Sequence, residues 1–330
     1  MLHSRQNMKP ARRTFLLLPA CAVSLAVAPR AASALVYPTR PVRLVVEFFP
    51  GSLGDVIARV MAQWLSNQFG QQVVVDDQPG AGGNLATGAV VRAAPDGYTL
   101  LEVTSANAWN ATLYQNLSFD FIRDISPIAC ISLTPAVLVV HPSLPVGTVP
   151  EFVAYAKAHP GSINVASAGI GTLPHVAAEL FKSMTGVEFV HVPYSGSYLP
   201  DLLGGQVQAS FSPIPTVNEQ IKAGRLRALA VTGATPSPSV PGIPTLGEFV
   251  PGYEASAFNG LGAPRGTPIE ILDKLNGAIN AGLADPKIKA RLAQLASVPA
   301  PMSRVEFGRY IVEYTEKWGR VIRAAGIKVQ

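Results

Sequence analysis

The groups best placed to do chemistry in this chain are backbone amides rather than side chains. In the stretch Leu44 to Arg59, LVVEFFPGSLGDVIAR, an apolar run ending in Phe48 and Phe49 stops at Pro50-Gly51. Asp55 then opens a pattern with apolar residues at Val56, Ile57, Val60, Met61 and Leu65. That order predicts strand, tight loop, helix. Gly51 and Gly54 let the backbone take positive φ or approach a partner closely. The helix start presents unpaired N–H groups and the positive end of its dipole. A carboxylate or phosphate suits such a loop. A second segment of the same kind, Asn164 to His175 (NVASAGIGTLPH), follows a strand-like run. It precedes a helix marked by Val176, Ala177, Leu180, Phe181 and Met184. Two such helix starts on two sub-structures can close on one small acid from opposite sides.

Side-chain chemistry is sparse by comparison. Beyond the leader the histidines are His141, His159, His175 and His191. They form no H-E-x-x-H and no close His/Cys/Asp spacing, so neither a metal nor a cofactor is expected. There is no G-x-S-x-G elbow. Pro79 to Gly83 (PGAGG) lacks the Lys and Ser/Thr of a P-loop and reads as glycines turning the chain into Asn84 as a helix cap. Cys130, inside an apolar run, reads as an inert core thiol. Asp55 has two readings: a helix-start acid that complements the dipole, or a group at the mouth of the site that recognises an ammonium and sets ligand orientation. His175, just inside a helix, reads either as orienting a ligand or as capping and packing. His191 reads as structural.

The elements that must hold these loops alternate strand and helix. Strands are predicted at Val42 to Phe48, Val73 to Asp76 and Thr99 to Val103, with helices at Asp55 to Phe69 and Asn84 to Arg92 between them. Short helices between strands imply parallel pairing with right-handed crossovers. Ile125 to Val140 is a long apolar stretch broken at Thr134-Pro135, suited to a strand crossing between domains. A second α/β series follows: a helix at Val149 to His159 and strands at Ile163 to Ala166, Phe189 to Val192, Ala209 to Phe211 and Leu226 to Val231. The return crossing is expected near Ala255 to Ala263. Two amphipathic helices, Pro268 to Leu283 and Val305 to Ala325, are expected to pack on the first domain.

With 330 residues, 48% hydrophobic and 14% charged, the chain is globular and long enough for two domains. The formal charge of +5 belongs to residues 1 to 34, which carry Arg5, Lys9, Arg12, Arg13 and Arg30 and no acid. Without those five, 21 basic residues face 21 acidic ones. A neutral mature chain excludes nucleic acid and anionic membrane as partners. The leader reads as a signal peptide with an apolar run Phe15 to Ala28 and an A-x-A site at Ala32 to Ala34, cleaved after Ala34. Arg12-Arg13 leaves Sec and twin-arginine export both open. Cys21 hints at a lipoprotein signal, but only four apolar residues precede it. Its removal leaves Cys130 alone, which fits a periplasmic protein held by its core.

YPTRPVRLVV, the PG-x-x-x-D loop at Pro50 to Asp55, PGAGGN at Pro79 to Asn84, AAPDGYTLL, SAGIGT with His175, VHVPYSG, DLLGGQV and IKAGRLRALAVT occur together in this order. The combination resembles the Bug family, the substrate-binding components of tripartite tricarboxylate transport systems, over essentially the whole mature chain. The resemblance implies an α/β, type II-like Venus flytrap of two domains, each with a mainly parallel sheet flanked by helices. Domain 1 would comprise 35–134 plus 256–330, and domain 2 135–255. It implies a small carboxylate as ligand, membrane permease subunits as partners, a monomer, and no catalysis. Carried over by motif, the ligand-binding residues are Phe49, Pro50, Gly51, Ser52 and Asp55 on the first loop. Ser167, Gly169, Gly171, Thr172 and His175 follow on the second, with Ser105, Asn107 and Tyr194 on the cleft wall. Departures from the family pattern are Ser52 in place of the second glycine of P-G-G, Ser195 in place of Lys, and a segment Gly196 to Asp201 about two residues short. The alternatives are a sensor or adaptor signalling to a histidine kinase, and an enzyme acting on a carboxylate with Asp55 or His175 as base.

Overall fold

The computed structural model describes residues Val36 to Lys328. The leader and its cleavage after Ala34 lie outside them. The first series runs β1 (Val42–Val46), α1 (Leu53–Phe69), β2 (Val73–Asp77), α2 (Asn84–Val91), β3 (Thr99–Thr104), α3 (Ser105–Leu113) and the single turn α4 (Phe121–Asp124). β4 (Ile125–Val140) leads into α5 (Val149–Ala158), β5 (Asn164–Ser167), α6 (Leu173–Thr185), β6 (Val190–Pro193), α7 (Leu199–Leu203), β7 (Ala209–Pro213), α8 (Ile214–Lys222) and β8 (Arg227–Val231). The chain returns through β9 (Ser256–Pro264) to α9 (Ile269–Ala284), α10 (Pro286–Gln294), β10 (Val298–Pro299) and α11 (Arg304–Ala324).

Local chemistry explains the helix ends. Ser52 caps α1 through Asp55 N–H, and Gly70 closes it in the left-handed conformation that glycine adopts without a Cβ clash. Ser303 and Glu306 form a reciprocal capping box at α11. Helices α3, α4, α7, α8 and α10 were not predicted. α3 follows β3 without a connecting loop and starts from a capping box of Thr104 and Asn107.

The strands form two parallel triplets. β1 pairs with β2 on one side and β3 on the other; β5 pairs with β6 and β7 in the same manner. β4 and β9 run antiparallel to their neighbours and join the halves. Residues Ile125 to Pro135 of β4 pair with β9, whereas Ala136 to Val140 pair with β7 and β8. The expected break at Thr134-Pro135 is thus a change of partner within one continuous strand of 16 residues. Thr232 ties the two crossings together there. Its hydroxyl lies 2.6 Å from Ala255 O and 3.1 Å from Ala136 O, and it accepts from Ala136 N–H at 2.7 Å.

The closing helices cover the first triplet and the crossings. α9 lies against α1 and β4, while α11 lies against α3, β4 and also α6. Phe258 of β9 meets Phe307, Tyr310 and Tyr314 of α11 edge-on, at 5.9, 5.6 and 5.0 Å between ring centroids. Such contacts add to the area each ring buries. Cys130 is fully buried here, and burial pushes its thiol up to about 12, so it is inert at neutral pH. Among the described residues no helix is long and apolar enough to cross a membrane.

Phe307 is wholly buried beneath the crossings. Its truncation, Phe307→Ala, is expected to cost about 3–5 kcal/mol in urea unfolding. A loss below about 1 kcal/mol would show that this cluster does not hold α11 in place.

Candidate functional site

Parallel strands place their carboxyl ends on one side, where ligands gather in open α/β sheets. Here β1, β3, β5 and β7 are each followed directly by a helix, α1, α3, α6 and α8. The starts of all four reach one cavity of about 540 Å³, at Ser52 to Gly54, Thr104 to Ala106, Thr172 to Pro174 and Pro213. Each points the positive end of its dipole at the cavity, although Pro174 and Pro213 have no N–H and the Thr104 and Ala106 amides at α3 are taken by Asn107 Oδ1 and Thr104 Oγ1. The rest of the wall is mainly apolar, with Phe48, Trp109, Leu113, Tyr114, Ile170, Pro135, Ala257 and Phe258, and carries the polar residues Asn110, Thr134 and Asn259. Among the described residues no Lys, Arg, His, Asp or Glu lines it.

The first loop is held from beneath by carboxylates. Asp55, buried in the first turn of α1, accepts from Gly51 N–H at 2.7 Å and lies 2.6 Å from Arg59 Nε. Arg59 also reaches Asp77 at 2.6 Å. Behind them sit two further acids. Glu47 is bonded by the Thr104 hydroxyl and by Asn107 Nδ2 at 2.8 Å, and burial pushes its carboxyl up to about 7. Glu102, on β3, has no partner for either carboxyl oxygen among the described residues. Burial first, then Glu47, Asp55 and Asp77, hold its pKa well above the usual carboxylate range. Gly54 lies against it, so an added Cβ there would push on the Glu102 carboxyl.

The second loop is held by neutral imidazoles. His175 Nδ1 accepts from Gly171 N–H at 3.1 Å, and its ring stacks on His191 at 3.7 Å with 8° between planes. His191 Nε2 meets Ser167 Oγ at 2.7 Å. Burial and the neighbouring His191 push His175 down to about 3, and burial also lowers His191. The Thr172 hydroxyl donates to Gly169 O at 2.7 Å, so α6 has no side-chain cap. Leu173 and Pro174 of its first turn line the cavity, and Pro174 has no N–H.

Of the residues expected at the site, Ser52, Ser105, Gly171 and Thr172 line the cavity. Phe49 turns outward, 71% exposed, and Phe48 takes the wall position. Pro50 and Gly51 lie on the exposed side of the loop. Asp55 is directed at Gly51 and Arg59 rather than at the mouth, so its dipole-complementing reading matches the geometry and its ammonium-recognising one does not. Asn107 faces inward to Thr104, Glu47 and Thr87. Ser167, Gly169 and His175 shape the second loop from behind. Tyr194 donates to Asp201 at 2.7 Å, away from the cavity wall. Trp109 and Asn110 on α3 and Ala257, Phe258 and Asn259 on β9 also line the cavity and were not among the expected residues. A Thr-x-x-Asn box at Thr104 to Asn107 could have signalled α3; nothing local signals that β9 faces the loops.

This fold and this site are those of a solute-binding protein. The chain belongs to the tripartite tricarboxylate transporter family receptors, whose model matches residues 57–327. It is 35% identical over 303 residues to Protein BugT of Bordetella pertussis, covering 90% of this chain and 93% of that one. Among solved structures it is similar to Rpa4515 of R. palustris, determined with adipate, at 36% identity and a TM-score of 0.76. That match covers 89% of this chain and 100% of the other. MatC of Rhodopseudomonas palustris, with bound malate, matches at 31% identity and a TM-score of 0.71, covering 87% of this chain and 100% of that one.

Two outcomes follow from the loops. Gly171 has φ +76°, and an added Cβ would lie 2.8 Å from Leu113 Cδ1 across the cavity. The strain of a left-handed alanine is about 1–2 kcal/mol. Gly171→Ala is therefore expected to weaken ligand binding about tenfold in calorimetry with little change in secondary structure; unchanged affinity would remove this loop from the site. For Glu47 and Glu102 the folded-state pKa lies above the unfolded value of 4.5. Their stabilisation is complete below that value and is lost as pH rises through the folded pKa, about 7 for Glu47. Glu102→Met, which replaces an unpartnered acid with an apolar chain of similar length, is expected to raise Tm more at pH 8 than at pH 5. An equal shift at both values would mean that Glu102 is not the group titrating.

Proposed function

We propose that this protein captures a small organic acid in the cavity where α1, α3, α6 and α8 begin and delivers it to the membrane permease subunits of a tripartite tricarboxylate system. The observation that carries the reading is the convergence of four helix starts on a wall without charged side chains. Oriented amides in a water-poor cleft favour an anion without a counter-ion, and charge-assisted bonds to them are strong. Adipate and malate in the similar structures are acids of the size this cavity takes.

In this reading the protein is exported by the leader cleaved after Ala34 and acts as a monomer in the periplasm. Residues 35–134 with 256–330 form one lobe and 135–255 the other. The lobes close by bending where β4 and β9 cross, and the closed form docks on the permease. Ser52, Ser105, Gly171 and Thr172 contact the acid, while Asp55, Asn107, Ser167, Gly169 and His175 hold the loops that present the amides. Among the described residues no nucleophile–base pair lines the cavity, and the reading is of a carrier.

Calorimetry of the mature protein against a panel of mono- and dicarboxylates is expected to show one site per chain with at least one acid bound at micromolar or better affinity, and the acid recovered unchanged. Absence of binding by every carboxylate, or turnover of one, would refute the receptor reading.

A further inference from the structure

The cavity takes an anion in the reading above, yet among the described residues its wall carries no cation. One hydroxyl on that wall is tied to a titratable group behind it. Thr104, the last residue of β3 and the cap of α3, lines the cavity. Its Oγ accepts from Ala106 N–H at 3.1 Å, and its hydroxyl meets Glu47 Oε1. Glu47 is 1% exposed, and Asn107 Nδ2 donates to its other oxygen at 2.8 Å. Around Glu47 stand Glu102 of β3, Asp55 and Arg59 of α1 and Asp77 of β2. Arg59 is engaged by both aspartates, so it does not offset a charge on Glu47. α2 and α3, which reach the same network through Thr87 and Asn107, have no charged residue.

A hydroxyl has one hydrogen and two lone pairs. When Glu47 is ionised it accepts that hydrogen, and Thr104 has none left to give the cavity. When Glu47 is protonated it becomes the donor. The Ala106 amide and the Glu47 carboxyl then fill both lone pairs of Thr104, and the Thr104 hydrogen has no acceptor among the described residues. A ligand carboxylate supplies one. Asn259 stands directly across the β3–β9 ladder from Thr104. It is 5% exposed, and it lines the cavity with no hydrogen-bond partner for its side-chain amide among the described residues. Buried amides in proteins are ordinarily satisfied, and a ligand oxygen beside both donors would complete both.

Resting on the carboxylate-receptor reading above, we infer that the protein binds its acid together with one proton: protonated Glu47 donates to the Thr104 hydroxyl, and that hydroxyl donates to the carboxylate beside Asn259. The proton comes from solvent and stays on Glu47, and no bond to the ligand is made or broken. Anion and proton enter together, so the buried site gains no net charge and the cost of an unpaired buried ion is avoided. Glu47 is a positioning residue, since it touches Thr104 rather than the acid. The coupling is reciprocal: the bound anion strengthens the hold on the proton, and the proton strengthens the hold on the anion. Burial pushes the free Glu47 carboxyl up to about 7, so affinity is complete below that pH and falls about tenfold per pH unit above it.

The test uses the tightest-binding acid of the mono- and dicarboxylate panel, adipate and malate included. Calorimetry at pH 8 in HEPES and in Tris reads proton uptake from the difference in heat between the two buffers. About one proton per ligand is expected, with binding at pH 8.5 about tenfold or more weaker than at pH 6.5. Glu47→Gln keeps an N–H donor toward Thr104 with no proton to gain. It is expected to take up none and to bind with the same affinity, within about threefold, at both pH values. The native protein's proton count needs no variant, so it decides the question even if Glu47→Gln does not fold. Binding without proton uptake by the native protein, or uptake that survives in Glu47→Gln, overturns the inference and leaves the receptor reading intact. Failure of every acid on the panel overturns both.

Discussion

An amide in the first turn of a helix has no carbonyl behind it to accept its hydrogen, and it must find an acceptor elsewhere. The architecture follows from where these amides are sent. Because β1, β3, β5 and β7 run parallel within their triplets, each delivers the start of its following helix to the same face. Ten strands and their covering helices thus serve to aim four helix starts into one cavity. The apolar wall between them excludes water, which would otherwise compete for the same donors.

What was legible in the sequence is what depends on near neighbours. Pro50-Gly51 with Asp55, and the glycines before His175, identify both loops because turn, cap and helix lie within about a dozen residues. The Ile125 to Val140 run is apolar enough to be read as a crossing strand without knowing its partners. The side on which a residue faces was not legible in the same way. Asp55 turns to Arg59 one helical turn on, and Phe48 rather than Phe49 faces the cavity, because the strand's alternation is set by what packs beneath it. Asn259 reaches the wall through pairing with Thr104, more than 150 residues earlier in the chain. A single sequence carries no record of that pairing.

The two loops rest on groups with opposite responses to protons. Beneath the first, Glu47 and Glu102 favour the native state at low pH, an advantage that fades as pH rises from 4.5. Beneath the second, His175, neutral in the folded protein down to about 3, favours it above the unfolded value of 6.5. Between 4.5 and 6.5 the contributions run against each other.

The knot at Thr232 has a mechanical corollary. One hydroxyl touches both polypeptide connections, so a bend of either at this point strains hydrogen bonds shared with the other.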